Sequence, residues 1–385
     1  MKLKFLVRLL LFLFLISCGE NSIQEPISGD TLIQSFEIDN NTFSITTNTP
    51  TNYSIVYQNS QDIFYGFSAK AEQSTEHLFT LSGIANTNYS VQLHLEGADS
   101  YQDTIFQFIA SDLSQPVLQI HIVDIEQGDG NLIITPDNSY IAVDGGFGTH
   151  EPSWGAPGGE DDGSWDGDGV PIMLNYVASL GISHFDYLIE THNDMDHWGG
   201  IRDIKYSDDI TYETLLSPHQ TNNFHNGDYL VGDDSSYFSI RIINIGLPAG
   251  VFDNDNNHSI VLRIVYGEAE FLLTGDAEES LEDFILEEGF DISSDFIKIG
   301  HHGSNTSSSS DFLASVLNQN CKIGTVSFGT DNPYGHPHSL SRFRDYYLFG
   351  TNFPSIDSLL ENHHFENGTI KAITDGNIII INPEN

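Results

Sequence analysis

Thr191-His192-Asn193-Asp194-Met195-Asp196-His197 packs two histidines and two aspartates into six consecutive positions. The run before it, Asp186–Glu190, is apolar and aromatic like a buried strand. A metal ion needs several donors that converge on one point, and a loop leaving a strand can aim close neighbours at such a point. Imidazole and carboxylate together suit zinc, manganese or iron. The stretch therefore predicts a metal site, against the alternative of a polar surface turn.

Two later segments repeat the arrangement of an apolar strand that ends on a ligand residue. Leu272-Leu273-Thr274-Gly275 delivers Asp276, whose two carboxylate oxygens could each bind one metal ion. Lys298-Ile299-Gly300 leads to the pair His301-His302, of which one could ligate while the other hydrogen bonds or donates a proton. Each segment alone also fits an ordinary turn, but together with the first motif they favour a shared site.

Three more polar segments are candidates for groups around that site. Asn332 to His338 is a loop stiffened by two prolines, which presents His336 and His338 either to substrate or only to solvent. Asp129 and Asp144 lie in a glycine-rich hairpin, where Asp144 could orient a ligand residue or simply close a turn.

The first residues have the composition of a targeting segment. An apolar run at Leu9–Ile16 is too short for an ordinary membrane span. Leu15-Ile16-Ser17-Cys18 resembles a bacterial lipobox, in which cleavage precedes a cysteine that is then lipidated. We expect a signal peptide at 1–17, a lipidated Cys18, and a polar tether over 18–30, against the alternative of a plain signal peptide. The protein would then be lipid-anchored in the bacterial cell envelope, at the outer membrane or cell surface.

The pattern beyond the tether divides the chain into two units. Residues 31–112 carry short alternating runs rich in β-branched and aromatic residues, which predict a small all-β sandwich. Leu81–Leu93 resembles the strand end and tyrosine corner of fibronectin type III domains, with Tyr89 as the corner residue. Residues 117–383 alternate strands with helical patterns, which favours an α/β sandwich.

The charge balance limits the partners that we expect. The chain has 13 Lys and Arg against 55 Asp and Glu, a formal net charge of −42. Such a surface repels polyanions, and non-specific nucleic-acid binding requires basic patches. We therefore expect a small phosphoester or a short oligonucleotide as substrate rather than long nucleic acid. The acidity itself fits solubility or a saline habitat better than a cation store.

Taken in order, these segments resemble the metallo-β-lactamase domain of ComEC-type competence proteins over nearly all of Val117 to Asn382. The resemblance implies a four-layer αββα sandwich and two divalent metal ions, zinc or manganese. One ion would be held by His192 and Asp194, the second by Asp196, His197 and His301, with Asp276 bridging them.

Two departures from the superfamily pattern concern the first metal. A histidine usually stands where this chain has Asp194. The aspartate replaces a nitrogen ligand with a harder oxygen ligand, which favours manganese. Another histidine is expected between the first motif and Asp276, where only His219, His225 and His258 are available. Asn256 is our candidate for the polar group near that place. The residues predicted to support ligands or contact substrate are Asp129, Asp144, Asn256, Ser304 and Asn332.

The resemblance implies a hydrolase, and phosphodiester hydrolysis is the expected reaction. A water between two metals about 3.5–4 Å apart would lose its proton and attack the ester. Asp196 would orient this nucleophile, and His302, His336 or His338 would stabilise or protonate the leaving side. Because one fold hosts many reactions, a lactam, lactone or thioester substrate is an alternative. A surface binding or adhesion lipoprotein with a residual hydrolase domain is an alternative of another class.

Overall fold

The structure is a computed structural model. It describes residues 33–39, 41–59, 63–69, 74–81, 87–96, 102–109, 116–149, 171–246, 254–316, 322–330, 332–338, 340–352, 354, 362–365 and 368–383. The predicted signal peptide, the lipidation site Cys18 and the tether lie outside the described residues. No helix in the described ranges is long and apolar enough to cross a membrane.

The N-terminal unit is built from six strands, and its second strand belongs to two sheets. The strands are β1 (Ile33–Asp39), β2 (Thr42–Gln58), β3 (Ile63–Ser68), β4 (Ser74–Thr80), β5 (Asn88–Glu96) and β6 (Gln102–Ile109). The first part of β2 pairs with β1 and β4, and its second part pairs with β3 and β5. Phe43, Tyr57, Phe79 and Tyr89 are fully buried between these sheets. The expected all-β sandwich is therefore present, while its fibronectin type III assignment stays a prediction.

The first sheet of the C-terminal unit carries two helices on its outer face. Its elements are β7 (Leu118–Ile122), β8 (Gly130–Ile134), β9 (Tyr140–Gly145), α1 (Ile172–Ser179), β10 (His184–Ile189), α2 (Met195–Lys205) and β11 (Thr211–Leu216). Strand β10 lies between β9 and β11 and is parallel to both. Met173 and Val177 of α1 and Ile201 and Ile204 of α2 bury their side chains against this sheet.

The second sheet has the order β12-β13-β14-β15-β16-β17-β18-β19 among the described residues. The remaining elements are β12 (Tyr229–Val231), β13 (Phe238–Asn244), β14 (Val261–Tyr266), β15 (Ala269–Leu273), α3 (Glu279–Glu288), β16 (Phe296–Lys298), α4 (Ser310–Val316), β17 (Ile323–Val326), β18 (Tyr347–Gly350), β19 (His363–Phe365), β20 (Ile370–Thr374) and β21 (Ile378–Pro383). Helices α3 and α4 cover its outer face. Helix α3 ends at Gly289, whose φ of 72° is the left-handed conformation that glycine adopts at little cost.

The two sheets of the C-terminal unit pack face to face. Ile120, Ile141 and Ile189 from the first sheet share one core cluster with Leu262 and Phe271 from the second. With a helical layer outside each sheet, the predicted four-layer αββα architecture is confirmed. The carboxyl ends of β10, β15 and β16 lead into the three predicted ligand segments, so the fold brings these segments to one edge.

One strand pairing joins the two units. Strand β20 pairs with β7, β21 pairs with β20, and the other edge of β21 pairs with β3. The described strands of both units therefore form one continuous 13-stranded sheet. The boundary between 31–112 and 117–383 stays a prediction at the level of independent folding.

Candidate metal centre

The first motif begins in a loop and ends in a helix. His192 follows β10 in the loop, whereas Asp196 and His197 lie in the first turn of α2, with Asp194 just before it. The sequence predicted a loop throughout, so this part of the expectation was incomplete. Because consecutive residues in a helix diverge by about 100°, His197 points inward and is fully buried while Asp196 keeps 18% of its side chain exposed.

Four imidazoles surround one carboxylate oxygen. Asp276 Oδ2 lies 3.3 Å from Nε2 of His197, 3.4 Å from Nε2 of His302, 3.8 Å from Nε2 of His301 and 3.9 Å from Nε2 of His192. Residues from three segments far apart in sequence thus meet at one point, as predicted from their shared position at strand ends.

The inward-facing atoms fit a divalent metal ion. Nε2 of His192, His197 and His302 and Oδ1 of Asp276 are all buried without a hydrogen-bond partner. Buried polar atoms are normally paired, so such a cluster indicates donors that are arranged for a ligand. Three groups that share His197 have donor atoms close enough to hold an ion: His192, His197 and Asp276; Asp196, His197 and His302; and Asp129, Asp144 and His197. In the third group, the Asp144 carboxylate is already hydrogen bonded to His197 Nδ1. Nitrogen and carboxylate donors of this kind suit zinc or manganese.

Asp144 and Thr191 fix the orientation of two of these imidazoles. The Nδ1–H of His197 donates to Asp144 Oδ2 at 2.8 Å, and the same carboxylate accepts from the backbone N–H and hydroxyl of Thr191. His192 Nδ1 lies 3.1 Å from the Thr191 hydroxyl. Both rings therefore direct Nε2 towards Asp276. Burial acts to lower the pKa of His197, but Asp276 and Asp144 outweigh it and raise that pKa well above its ordinary value.

A buried lysine stands behind His302. Because the Ser327 carbonyl oxygen can only accept, His302 Nδ1 donates to it at 3.1 Å, and Asp129 Oδ1 lies 3.4 Å away. Asp129 in turn accepts from Lys298 Nζ at 2.7 Å and from the Ser327 hydroxyl. Lys298 is fully buried. The sequence signal for Lys298 is a cation inside the apolar run Asp295–Ile299, and this pattern alone assigns Lys298 no role.

The charges of this network move the pKa values of its members. Burial acts to lower the pKa of His302, but Asp276, Asp129 and Asp196 raise it to about 10. Burial acts to raise the pKa of Asp129, but Lys298 and His302 hold it below its usual range. The pKa values of His302 and Asp129 therefore depend on each other's charge.

Asp196 is oriented by a residue that the sequence had not singled out. Gln127 Nε2 donates to Asp196 Oδ2 at 3.4 Å, and Gln127 Oε1 accepts from the backbone N–H of Gly329 at 3.2 Å. Burial acts to raise the pKa of Asp196, but His302 and His197 lower it to about 2. The carboxylate is thus ionised, held in place and reachable from solvent.

The geometry favours His302 over His301 as the buried ligand. His301 Nδ1 lies 3.2 Å from Glu278 Oε1, and 20% of its side chain is exposed, whereas 2% of the His302 side chain is exposed. The two residues have φ values of 49° and 51°, a left-handed conformation that costs free energy in residues with a side chain. This backbone points the two rings in different directions. The assignment of His301 as ligand and His302 as proton donor stays a prediction that this arrangement does not favour.

Asp194 lies at the rim of the centre. Its Oδ2 is 3.4 Å from Nε2 of His192, and 43% of its side chain is exposed. None of the donor groups found in the described residues contains Asp194, so its role as a ligand beside His192 stays a prediction. Asn256, expected near the missing histidine, instead donates to Glu278 Oε1 at 3.4 Å. None of the donor groups found in the described residues contains His219, His225 or His258.

The loop from Asn332 to His338 lies against the centre, and the two histidines of this loop make different contacts. The ring of His336 is 5.2 Å from that of His301, and its buried Nδ1 has no hydrogen-bond partner. His338 uses both nitrogens, since Nε2 donates to the Tyr334 carbonyl and Nδ1 accepts from the Asn305 N–H. The substrate-contacting role of His336 stays a prediction, while the bonds of His338 support the loop.

The other two predicted supporting residues hold loops rather than ligands. Ser304 Oγ lies 2.9 Å from the hydroxyl of Thr306, which donates to Glu278. The Asn332 amide donates to the carbonyl oxygens of Gly329 and His336 and accepts from the His336 N–H. Both are near the centre without pointing into it.

Comparison with known proteins agrees with this geometry. A sequence profile of the metallo-beta-lactamase superfamily matches residues 134–320. The chain is 26% identical over 234 residues to ComE operon protein 3 of Bacillus subtilis. It is 29% identical over 230 residues to Recombination protein 2 of Haemophilus influenzae, and 29% identical over 185 residues to Competence protein ComA of Neisseria gonorrhoeae.

These similarities are confined to part of each protein. They cover 57%, 59% and 44% of this chain, in the same order, and the chain spans only 29%, 26% and 23% of the relatives. The profile match at residues 134–320 includes the segments that converge on Asp276, and the expected similarity to competence proteins is confirmed. Residues 134–320 therefore match the metallo-beta-lactamase superfamily, whose members are typically hydrolases.

Proposed function

We propose that this protein is a metal-dependent phosphodiesterase that uses two divalent ions, zinc or manganese. The observation that carries the proposal is the set of unpartnered buried Nε2 atoms on His192, His197 and His302 around the Asp276 carboxylate. His192 with Asp276 and Asp196 with His302 are separate sets of donors that share only His197, so we propose two ions, of which His197 would bind one. The printed names of the relatives refer to competence and recombination. Recombination acts on nucleic acids, whose backbone is a phosphodiester.

When bound, the ions would supply an acidified water nucleophile and neutralise negative charge on the phosphate. The protein's own groups would hold and orient the reactants. Asp196, held by Gln127, would accept a hydrogen bond from the attacking water. His336 lies beside His301; burial, with His302, His301 and His338, lowers its pKa to about 3, so it is neutral at pH 7. It would hydrogen bond to the leaving oxygen without adding charge.

The substrate class follows from the charge of the chain. A net charge of −42 repels a long polyanion, while a cluster of imidazoles and two cations can attract a phosphate locally. We therefore propose a small phosphoester or a short oligonucleotide as substrate.

A metal and activity measurement tests the proposal. The full chain, purified in detergent, is assayed for bound metal by mass spectrometry and for hydrolysis of a chromogenic phosphodiester with added zinc or manganese. Asp196→Asn should reduce turnover at least a hundredfold, while the exposed Asp209→Asn should not change it. Absence of both metal and Asp196-dependent turnover would refute the enzyme and leave a binding or adhesion protein. Turnover of a chromogenic lactam without any phosphodiester turnover would refute only the substrate class.

We also propose that Cys18 anchors the protein through a lipid in the bacterial cell envelope. The support is the lipobox-like sequence Leu15-Ile16-Ser17-Cys18 after a short apolar run. Metabolic labelling with radioactive palmitate should label the wild type and not Cys18→Ser. An unlabelled wild-type protein would exclude the anchor without affecting the proposed chemistry.

A further inference from the structure

An exposed aromatic ring stands at the mouth of the metal centre. Tyr334 has 52% of its surface exposed, and its ring stacks on that of His336 with a centroid separation of 5.7 Å and an interplanar angle of 23°. A large aromatic side chain left this exposed has apolar surface that water solvates poorly. It is therefore a candidate contact for a ligand.

A series of ring contacts leads from Tyr334 to the buried ligands. The His336 ring lies 6.0 Å from the ring of His302, and the His302 ring lies 5.3 Å from that of His197. His336 is only 7% exposed, and its Nδ1 is buried without a partner beside these histidines. Tyr334 is thus two ring-to-ring steps from a candidate metal ligand.

The loop presents this ring in a fixed position. Asn332 forms three hydrogen bonds, with Gly329 and with both backbone groups of His336. His338 Nε2 donates to the carbonyl oxygen of Tyr334 at 3.1 Å, and the Asn305 N–H donates to His338 Nδ1. These bonds hold the loop backbone, and the ring itself stacks on His336. A side chain held on an ordered backbone loses less conformational freedom when a ligand binds, so more of the contact free energy appears as affinity.

The chemistry of the two rings selects the ligand. We propose that Tyr334 and His336 form a stacking subsite for a planar aromatic base attached next to the scissile phosphate, so that nucleotide phosphodiesters are preferred over those without a base. The inference rests on the proposed phosphodiesterase function. The stacked rings of Tyr334 and His336 offer flat π surfaces, which suit a planar base. Stacking tolerates any base, so the subsite would distinguish bases from other groups without reading sequence.

A matched pair of substrates tests the subsite. The full chain, loaded with manganese, is assayed for hydrolysis of a dinucleotide and of the corresponding abasic dinucleotide. The abasic compound keeps the sugars and phosphate but lacks the bases. Tyr334→Ala should lower kcat/KM for the dinucleotide about tenfold, mainly through KM, because stacking is equally strong before and during reaction. The abasic substrate should change less than about twofold. Tyr334→Trp should keep the preference, and Tyr206→Ala, at an exposed tyrosine on α2's far end, should behave as wild type.

Each outcome supports or overturns the proposed stacking subsite. Equal losses on both substrates would mean that Tyr334 only supports the loop, and no loss on either would mean that no base stacks there; both results overturn the inference while leaving phosphodiester hydrolysis intact. If the wild type cleaves neither the dinucleotide nor any other phosphodiester, the proposed function falls and the inference falls with it. An unchanged thermal unfolding midpoint of Tyr334→Ala shows that the variant is folded.

Discussion

At the scale of single residues, the pair Lys298 and Asp129 links the two halves of the C-terminal unit behind the metal centre. Lys298 comes from β16 and Asp129 from the turn before β8, and neither is exposed to solvent. A buried charge is tolerated only when it is paired and hydrogen bonded. The pair also holds the carboxylate that faces His302 Nδ1, so its loss should affect both stability and metal binding.

Lys298→Met should lower the free energy of unfolding of the metal-free protein by about 3–5 kcal/mol, because Asp129 is left buried and unpaired. The double variant Lys298→Met with Asp129→Asn should recover most of that stability, since both charges are gone. Its zinc affinity should nevertheless stay about 10–100-fold below wild type, because His302 has lost the carboxylate that orients it. Urea unfolding and titration calorimetry measure the two quantities. Full recovery of zinc affinity in the double variant would show that the pair has a structural role alone.

The titration of Asp295, which is remote from the metal centre, should make the free energy of unfolding depend on pH. Burial raises the pKa of its carboxyl group well above the usual value, and its Oδ2 accepts from the Glu270 N–H at 3.1 Å. The folded state therefore keeps the proton to a higher pH than the unfolded state. Its contribution to the free energy of unfolding falls as pH rises from about 4 through the raised pKa.

Asp295→Asn removes this titration and keeps an oxygen that can accept from Glu270. Relative to wild type, the metal-free variant should gain about 1 kcal/mol or more between pH 4 and pH 8. Urea unfolding at both pH values checks this, with the exposed Asp209→Asn as control. If the free energies of unfolding of the wild type and the variant change in parallel with pH, the prediction is contradicted.

At the scale of elements, helix α2 holds its ligands in place by lying unusually close to the hairpin of β8 and β9. A Cβ atom on Gly200 would lie 2.0 Å from the carbonyl oxygen of Gly145, and one on Gly199 would lie 2.3 Å from the backbone nitrogen of Gly148. Only residues without a side chain allow this approach. The position of His197, two residues before Gly199 in the same helix, therefore depends on backbone contacts outside the helix.

Gly200→Ala should shift α2 away from the hairpin, lower the free energy of unfolding by about 3 kcal/mol and reduce zinc affinity. Gly181→Ala is the matched control. Gly181 has a φ of 72°, and no atom lies within 4 Å of a Cβ placed there. Gly181→Ala should lower the free energy of unfolding by about 1–2 kcal/mol through backbone strain alone and leave zinc affinity unchanged. Equal zinc affinities for Gly200→Ala and wild type would contradict the role given to this contact.

At the scale of the whole molecule, strand β21 contributes one face to each of two cores. Ile378 and Ile380 belong to the core of the N-terminal unit, while Ile379 and Ile381 belong to the core between the two sheets of the C-terminal unit. Alternation along a strand explains the division, because successive side chains point to opposite faces. The two units are therefore joined by packing as well as by the chain.

Ile380→Ala should lower the free energy of unfolding by about 2–5 kcal/mol and increase hydrogen exchange in β5. It should leave zinc affinity unchanged, because the side chain points away from the hydrolase core. Hydrogen-exchange mass spectrometry and titration calorimetry test both parts, with Ile381→Ala as the comparison on the opposite face. Exchange that stays unchanged in β5 for Ile380→Ala would contradict the shared core.

The sequence predicted the layers and the convergence of ligand segments because both depend on local patterns. Apolar strands that end on His192, Asp276 and His301-His302 can be recognised one at a time. The roles of Lys298 and Gln127 could not be predicted in the same way. Each depends on contacts between residues far apart in the chain, such as Lys298 with Asp129. The choice between neighbouring histidines depends on backbone dihedral angles, which alternating patterns do not specify.

The pairing of β21 with β3 also constrains the order of assembly during synthesis. Strands β1 to β6 are translated long before β21, which is separated from β3 by about 310 residues of sequence. Until β21 emerges, one edge of β3 has unpaired backbone groups, and the side chains that face Ile378 and Ile380 are uncovered. Such an edge is a site of unwanted pairing with other chains. A nascent chain of this protein is therefore expected to expose this edge of β3 until β21 pairs with it.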